Sequence, residues 1–186
     1  MHFAFHSSSI NGLMEITPFF ASDQRGYFTK TFSEEVFAAH GITFAPVEEL
    51  ESSSCRHTLR GLHFQRRHSQ DKLVRVLSGE VYDVAVDLRP DSETFGSWQS
   101  FRLSAENRKM LYIPKQFAHG FLVLSDEAVL HYLCGARHDP ESEDGIIWND
   151  PDLAIDWPLE LGCLPLLSLR DQSFLRFAGF CASIGM

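Results

Sequence analysis

Between residues 58 and 134 the apolar positions recur mostly at every second place, in short runs broken by Gly, Ser, Asp and Pro. A period of two is the spacing of a strand with one face buried. The pattern predicts strands over residues 58–65, 72–77, 81–88, 96–103, 109–113, 119–124 and 128–134. The same texture begins near residue 10, and "DQRGYFTKTF", with Gly26 ahead of alternating aromatic and Thr positions, predicts a further strand. "SGE" between the second and third central runs reads as a hairpin turn, because a short Gly-containing link between β-branched runs is the usual signature. Helices are few. "SEEVFAAHG" over 33–41 offers Ser33 as cap, Glu34 and Glu35 in the first turn, and Gly41 to close it. The C-terminal "LSLRDQSFLRFAGFCASIGM" predicts a helical segment over about 168–186. Its apolar residues would pack on the barrel or a partner chain, with an interfacial amphipathic role as the alternative. Many short strands with few helices define an all-β sandwich or small barrel.

Length and charge narrow the picture. The 186 residues suit a single domain spanning 1–186, long enough to bury a real core. A net charge of −9 with His neutral argues against nucleic acid and anionic membrane as partners, while leaving room for a local anion pocket. No stretch reaches the roughly 20 apolar residues that cross a bilayer, and "MHFAFHSSSINGLMEI" lacks a basic region followed by an apolar run. A cytoplasmic location is expected. Cys55, Cys134, Cys163 and Cys181 show no CxxC spacing, so buried free thiols are expected rather than a disulfide framework.

The candidate chemistry lies where positive charge collects. Arg56, Arg60, Arg66, Arg67, Lys72 and Arg75 fall within twenty residues that hold one acid, Asp71. A solvated strand edge accounts for Arg66 and Arg67 in the turn-like "RRHS". It suits Arg60, His63 and Lys72 less well, because they stand among Leu59, Leu62, Phe64, Leu73 and Val74, where charge is costly unless it serves a pocket. His63 and Gln65, two apart on a strand, share a face. With Lys72, and His119 after "IPKQFA", they follow the rhythm of cupin barrels, whose usual motifs give three His and one Glu to a metal. Here Gln65 replaces the second His and Lys72 stands where the Glu would be. An ammonium has no lone pair to offer a cation. A cupin pocket without metal is expected. Within it His63 titrates in the range of a general base. Tyr132 is either a core residue or the opposing acid. Asp171 either caps the terminal helix or reaches back to His63.

"LRGLHFQ", "QDKLVRVLSGEVYDVAVDLRPDSETFG", "IPKQFAHGFLVLSD", "HYLCG" and "ESEDGIIWNDPDLAIDWP", in this order over about residues 10 to 171, resemble the RmlC-type dTDP-4-dehydrorhamnose 3,5-epimerase family. The resemblance implies a cupin-type jelly-roll barrel with a few short peripheral helices. It also implies a homodimer with shared active sites, in which N-terminal strands within about residues 1–50 meet the partner. The implied substrate is a nucleotide-diphosphate 4-keto-6-deoxysugar, and no metal or redox cofactor is needed. His63, oriented by Asp171, would be the base, Tyr132 the acid, and Lys72 the group that steadies the enolate. Arg25, Arg60, His119 and Glu143 correspond to family pocket residues, with Arg25 reaching the neighbouring subunit. Lys30 stands where the family commonly has Glu, Glu48 and Leu50 where it has a "QxN" triplet, and His138 where it has Tyr. Gln65 and these four complete the implied substrate-binding set. The catalytic set matches while the nucleotide-contacting set departs. That leaves open a C3-only epimerase or a ketoisomerase on another nucleotide sugar, and a sugar-nucleotide-binding cupin without turnover.

Overall fold

The computed structural model describes residues 2–186. Among the described residues thirteen strands and two short helices follow one another. One sheet has six strands in the order β1 (Ala4–Ser7), β2 (Met14–Thr17), β10 (Met110–Ile113), β7 (Lys72–Ser78), β12 (Glu127–Cys134) and β5 (Glu48–Cys55). The second has five, in the order β13 (Glu143–Gly145), β6 (Leu59–Gln65), β11 (Phe117–Val123), β8 (Glu80–Asp87) and β9 (Trp98–Ser104). A separate hairpin joins β3 (Phe19–Asp23) to β4 (Gly26–Lys30). All strand pairs within the sheets are antiparallel. This is the cupin-type jelly roll.

Side-chain alternation decides what lies between the sheets. Val74, Val76, Leu111, Ile113 and Leu130 from the first sheet meet Val81, Ala85, Phe101, Leu103, Phe121 and Val123 from the second in one buried cluster. The outer face of the five-stranded sheet is apolar too. Leu62, Phe64, Val84, Val86 and Leu122 are covered there by Leu153, Trp157 and Phe180 from the C-terminal third. On the outer face of the six-stranded sheet, Ile16, Met110 and Tyr112 are capped by α1 (Glu34–Ala39) through the fully buried Phe37. That helix ends as its sequence predicts. Gly41 sits at φ +80°, its N–H bonds the Ala38 carbonyl, and the Ile42 N–H bonds that of Phe37. At the other end Ser33 is the N-cap by position, yet its hydroxyl makes no capping bond.

Several expectations are corrected. The "SGE" segment is not a hairpin: β7 pairs with β10 and β12, whereas β8 pairs with β11 and β9, so the chain crosses from one sheet to the other at Gly79. Alternation read along one strand cannot distinguish a turn back from a step across, because both need a Gly. The strand β5 escapes the periodicity reading, since "EELESSSC" is polar except at Leu50 and Cys55; it is an edge strand that only β12 holds. The helix expected over 168–186 is confined to α2 (Phe177–Ser183), and the residues before it form turns. Its Phe180 packs on Phe64 of its own barrel. Arg66 is not simply solvated: its Nε donates to Asp144 at 2.6 Å, and a second nitrogen donates to Ser183 at the end of α2. All four cysteines are free, but Cys134 alone is buried and Cys55 is exposed.

Gly79 adopts φ +76°, and a Cβ there would collide with the Glu127 carbonyl and the Ser125 hydroxyl. Gly79→Ala therefore combines backbone strain with a clash against main chain, expected to cost about 2–4 kcal/mol. In a chain this size that is a fall in Tm of several degrees, about 2–4 °C per kcal/mol, readable by circular dichroism.

Candidate active site

The two sheets diverge around a cavity of about 240 Å³ lined by Leu50, Arg60, His63, Gln70, Lys72, His119, Tyr132, Cys134, His138 and Glu143, with Gly120 and Phe121. The walls are unlike. The five-stranded sheet supplies Arg60 and His63 on β6, His119 on β11 and Glu143 on β13. The six-stranded sheet supplies Lys72 on β7, Leu50 on β5, and Tyr132 and Cys134 on β12. Cross-strand pairing sets the neighbours: His63 lies opposite His119, and Lys72 opposite Cys134. The first pair depends on two glycines. A Cβ on Gly61 would sit 2.5 Å from the Gly120 Cα, and one on Gly120 would sit 2.8 Å from the Arg60 carbonyl oxygen. Only bare backbone lets β6 and β11 approach so closely.

His63 and Asp171 form a dyad, with Nε2 at 2.8 Å from Oδ1. Asp171 is buried, so of the two readings left open by its sequence position, the reach back to His63 is the one realised. The first N–H of α2 is instead taken by Asp150. The chain delivers Asp171 because Leu166 bridges to Thr58 alongside β6, and a turn through Ser168 follows. Burial opposes the charge on Asp171. The bond from His63, with help from Ser168 and the Gly61 N–H, outweighs burial and holds the carboxyl below its usual range. An ionised Asp171 accepts a hydrogen bond from the Nε2–H, so Nδ1 is the nitrogen free to act as base.

A second dyad stands beside it. His119 Nε2 lies 2.9 Å from both oxygens of the fully buried Asp83. His119 also meets Tyr132 edge to face at 6.3 Å, so the imidazole links the two walls. Burial pushes the Tyr132 phenol well above its ordinary value, against the weaker effect of its contact with Ser52, so it is held protonated. Burial likewise pulls Lys72 down, partly offset by Cys134, Glu143 and Asp83. Less water around the ammonium strengthens its pull on a nearby anion.

The substrate-binding candidates divide by position. Arg60 reaches β5, with Nε donating to Ser54 at 3.0 Å. Glu143 receives both Arg170 nitrogens at 2.6 and 2.7 Å and contacts His138 at 3.0 Å. Glu48 accepts the His138 backbone N–H at 2.8 Å behind the lining. Gln65 is corrected: it shares the strand face of His63, but its amide is consumed by the backbone of His68, Arg137 and Asp139, and it does not line the cavity. Arg25 and Lys30 lie on the β3–β4 hairpin, away from this chain's own cavity, with Arg25 paired to Asp23 at the surface. Sequence reasoning missed Asp83, Gln70, Cys134 and Arg170. Asp83 carried a usable signal, a charge within the apolar "VYDVAV", and Cys134 shares Tyr132's face by period two. Arg170 carried none. Among the described residues no three His, Cys, Asp or Glu side chains converge as a metal-binding group, and no helix is long and apolar enough to cross a membrane.

A dyad-oriented imidazole on one wall, with a protonated phenol and an ammonium on the other, is an arrangement able to carry out acid–base chemistry inside a cupin barrel. The comparisons give the family. A family model described as dTDP-4-dehydrorhamnose 3,5-epimerase matches residues 7–179, and the chain belongs to that family. The dTDP-4-dehydrorhamnose 3,5-epimerase of Methanothermobacter thermautotrophicus is 49% identical over 172 residues, covering 92% of this chain and 93% of the relative. The crystal structure of dTDP-6-deoxy-D-glucose-3,5-epimerase RmlC from Legionella pneumophila, in complex with dTDP-4-keto-L-rhamnose, is 43% identical. It superposes with a TM-score of 0.93 over 98% of this chain and 97% of that one. ChmJ, a 3'-monoepimerase from Streptomyces bikiniensis in complex with dTDP-quinovose, is 34% identical, with a TM-score of 0.87 over 97% of this chain and 90% of its own.

Glu143 offers a test of the site's electrostatics. Burial raises its pKa, but Arg170 and His138 more than reverse this and bring it from 4.5 to about 2. A depressed carboxylate contributes stability that is complete above the unfolded pKa and disappears as pH falls through the folded one. Glu143→Gln should therefore flatten the stability profile between about pH 4.5 and pH 2, measured as urea midpoints across that range.

Proposed function

We propose that this chain epimerises a dTDP-linked 4-keto-6-deoxyhexose at C3 and C5, of the kind that converts dTDP-4-dehydro-6-deoxy-D-glucose to dTDP-4-dehydro-L-rhamnose. The observation that carries the reading is the placement of base and acid on opposite sheets, so that a sugar ring between them meets one on each face. The C4 ketone acidifies the protons at C3 and C5. His63 Nδ1 takes one, and the electron pair of the broken C–H bond moves into the ring, leaving the charge on the C4 oxygen. Lys72 stabilises that enolate as oxyanion-hole donors do. The Tyr132 hydroxyl then delivers its proton to the opposite face, and the carbon is inverted. Asp171 keeps Nε2 protonated throughout, so His63 passes from the Nε2–H tautomer to an imidazolium whose charge Asp171 balances. Arg60, with part of its fork uncommitted, suits a diphosphate oxygen.

Arg25 and Lys30 fit a site shared between two copies. The hairpin that carries them leaves Tyr27 and Phe28 69% and 58% exposed, an unusual outlay of aromatic surface for a lone chain. We read it as an arm that inserts at a partner's cavity in a homodimer.

Turnover of the dTDP-linked 4-keto sugar in D2O, read by NMR, should place deuterium at both C3 and C5. Label at C3 alone would instead favour a monoepimerase like ChmJ, and no label with any 4-keto nucleotide sugar would sink the assignment. Tyr132→Phe should lower kcat by about 10²–10⁴, the usual worth of a positioned proton donor. Lys72→Met should cost about 10²–10³. For the shared site, mixing inactive Arg25→Ala and His63→Ala proteins should restore part of the activity through hybrid dimers. No recovery after verified subunit exchange means each cavity is built from one chain.

A further inference from the structure

His63 is fixed to Asp171 through one hydrogen bond, which holds one atom of the imidazole and not its plane. The ring can still swing about that bond unless something stands beside it. On one flank the neighbouring strand provides His119. On the other, the residue of β13 directly opposite His63 is Gly145, so the usual cross-strand side chain is missing there. The space is filled from elsewhere in the chain. Phe174 lies three residues after Asp171, just before the bridge of Leu175 to Ile146, and its ring occupies the place where a Cβ on Gly145 would project. From there it meets the His63 imidazole at 5.6 Å between ring centres and 74° between planes. The Arg170 guanidinium stands 5.8 Å from the same ring and is itself clamped on Glu143.

We propose that Phe174 is a positioning residue for the reaction: seated on Gly145, it fixes the plane of the His63 imidazole so that Nδ1 faces the cavity while Nε2 stays on Asp171. The same turn thus brings both the atom that orients the base and the surface that keeps it from rotating. Phe174 does not line the cavity, so its effect passes through His63 and not through contact with substrate. A misplaced base loses the near-attack geometry on which proton transfer depends.

The kinetic part of the test rests on the proposed reaction, and a spectroscopic part does not. Phe174→Leu keeps most of the apolar volume while removing the flat ring; Phe174→Tyr keeps the ring. The Leu variant should lose roughly tenfold in kcat, with KM within about twofold of the parent. The acid limb of its pH profile, which reports the base, should shift, and Tyr should restore both properties. In the protein without substrate, 15N NMR of His63 should show a single Nε2–H tautomer in the parent and in Phe174→Tyr, and mixed tautomers with a displaced titration in Phe174→Leu. Identical His63 signals in parent and Leu variant would overturn the proposal, as would a change confined to KM. If the parent turns over no 4-keto sugar, the functional reading fails while the NMR comparison still decides the role of Phe174.

Discussion

The cost of placing charge inside an apolar sandwich governs this molecule. Asp83, Asp171 and Lys72 all lie where the hydrophobic pattern would otherwise place aliphatic side chains. A buried carboxylate without a partner costs several kcal/mol or loses its charge. Here each carboxylate faces an imidazole, and each imidazole spans two elements far apart in sequence. The need to satisfy those charges is what draws the C-terminal segment against β6 and holds β8 in register with β11. Packing of Val, Leu and Phe keeps the sheets together, but the polar pairs decide which strand stands beside which at the cavity.

Much of this was legible in the sequence because it depends on period and on chemical incongruity. Alternation located seven central strands to within a few residues of their observed bounds, and His63, Lys72 and Tyr132 stood out as reactive groups among aliphatic neighbours. The illegible parts share a different physical origin. Whether β7 and β8 are hairpin partners is decided by which sheet offers the better cross-strand neighbours, a long-range choice that "SGE" does not encode. Edge strand β5 carries little apolar signal because one side of it has no partner strand. Gln65 obeys the strand alternation, yet at the last position of β6 three loop backbone groups compete for its amide and win it from the cavity. Asp171 admitted two roles by sequence, and only the bridge at Leu166 chose between them.

The departures from the family pattern fall on peripheral elements, although Leu50 lies directly opposite Tyr132 and His138 also lines the cavity. Lys30 lies on the projecting hairpin, Glu48 and Leu50 on the edge strand, and His138 in the loop beyond β12. These are peripheral elements with few strand neighbours, so substitution there disturbs little of the core. The His63–Asp171 and His119–Asp83 pairs are embedded in strands bonded on both sides or tied down by the terminal segment, where a change would leave a buried charge uncompensated. On the proposed reading, the scaffold can thus vary its peripheral elements while the two buried dyads stay as they are.

Because the proposed acceptor and donor, His63 and Tyr132, belong to different sheets, the spacing between the sheets works as a gauge. Facing β-sheets stack about 10 Å apart, a distance set by interdigitated side chains along their whole length and not by the reactive groups. On the proposed reading, the slot between His63 and Tyr132 inherits that dimension, which suits a single sugar ring lying between the sheets. The width of the slot is therefore set by the hydrophobic core, and a cavity-forming change between the sheets would alter it without touching either His63 or Tyr132.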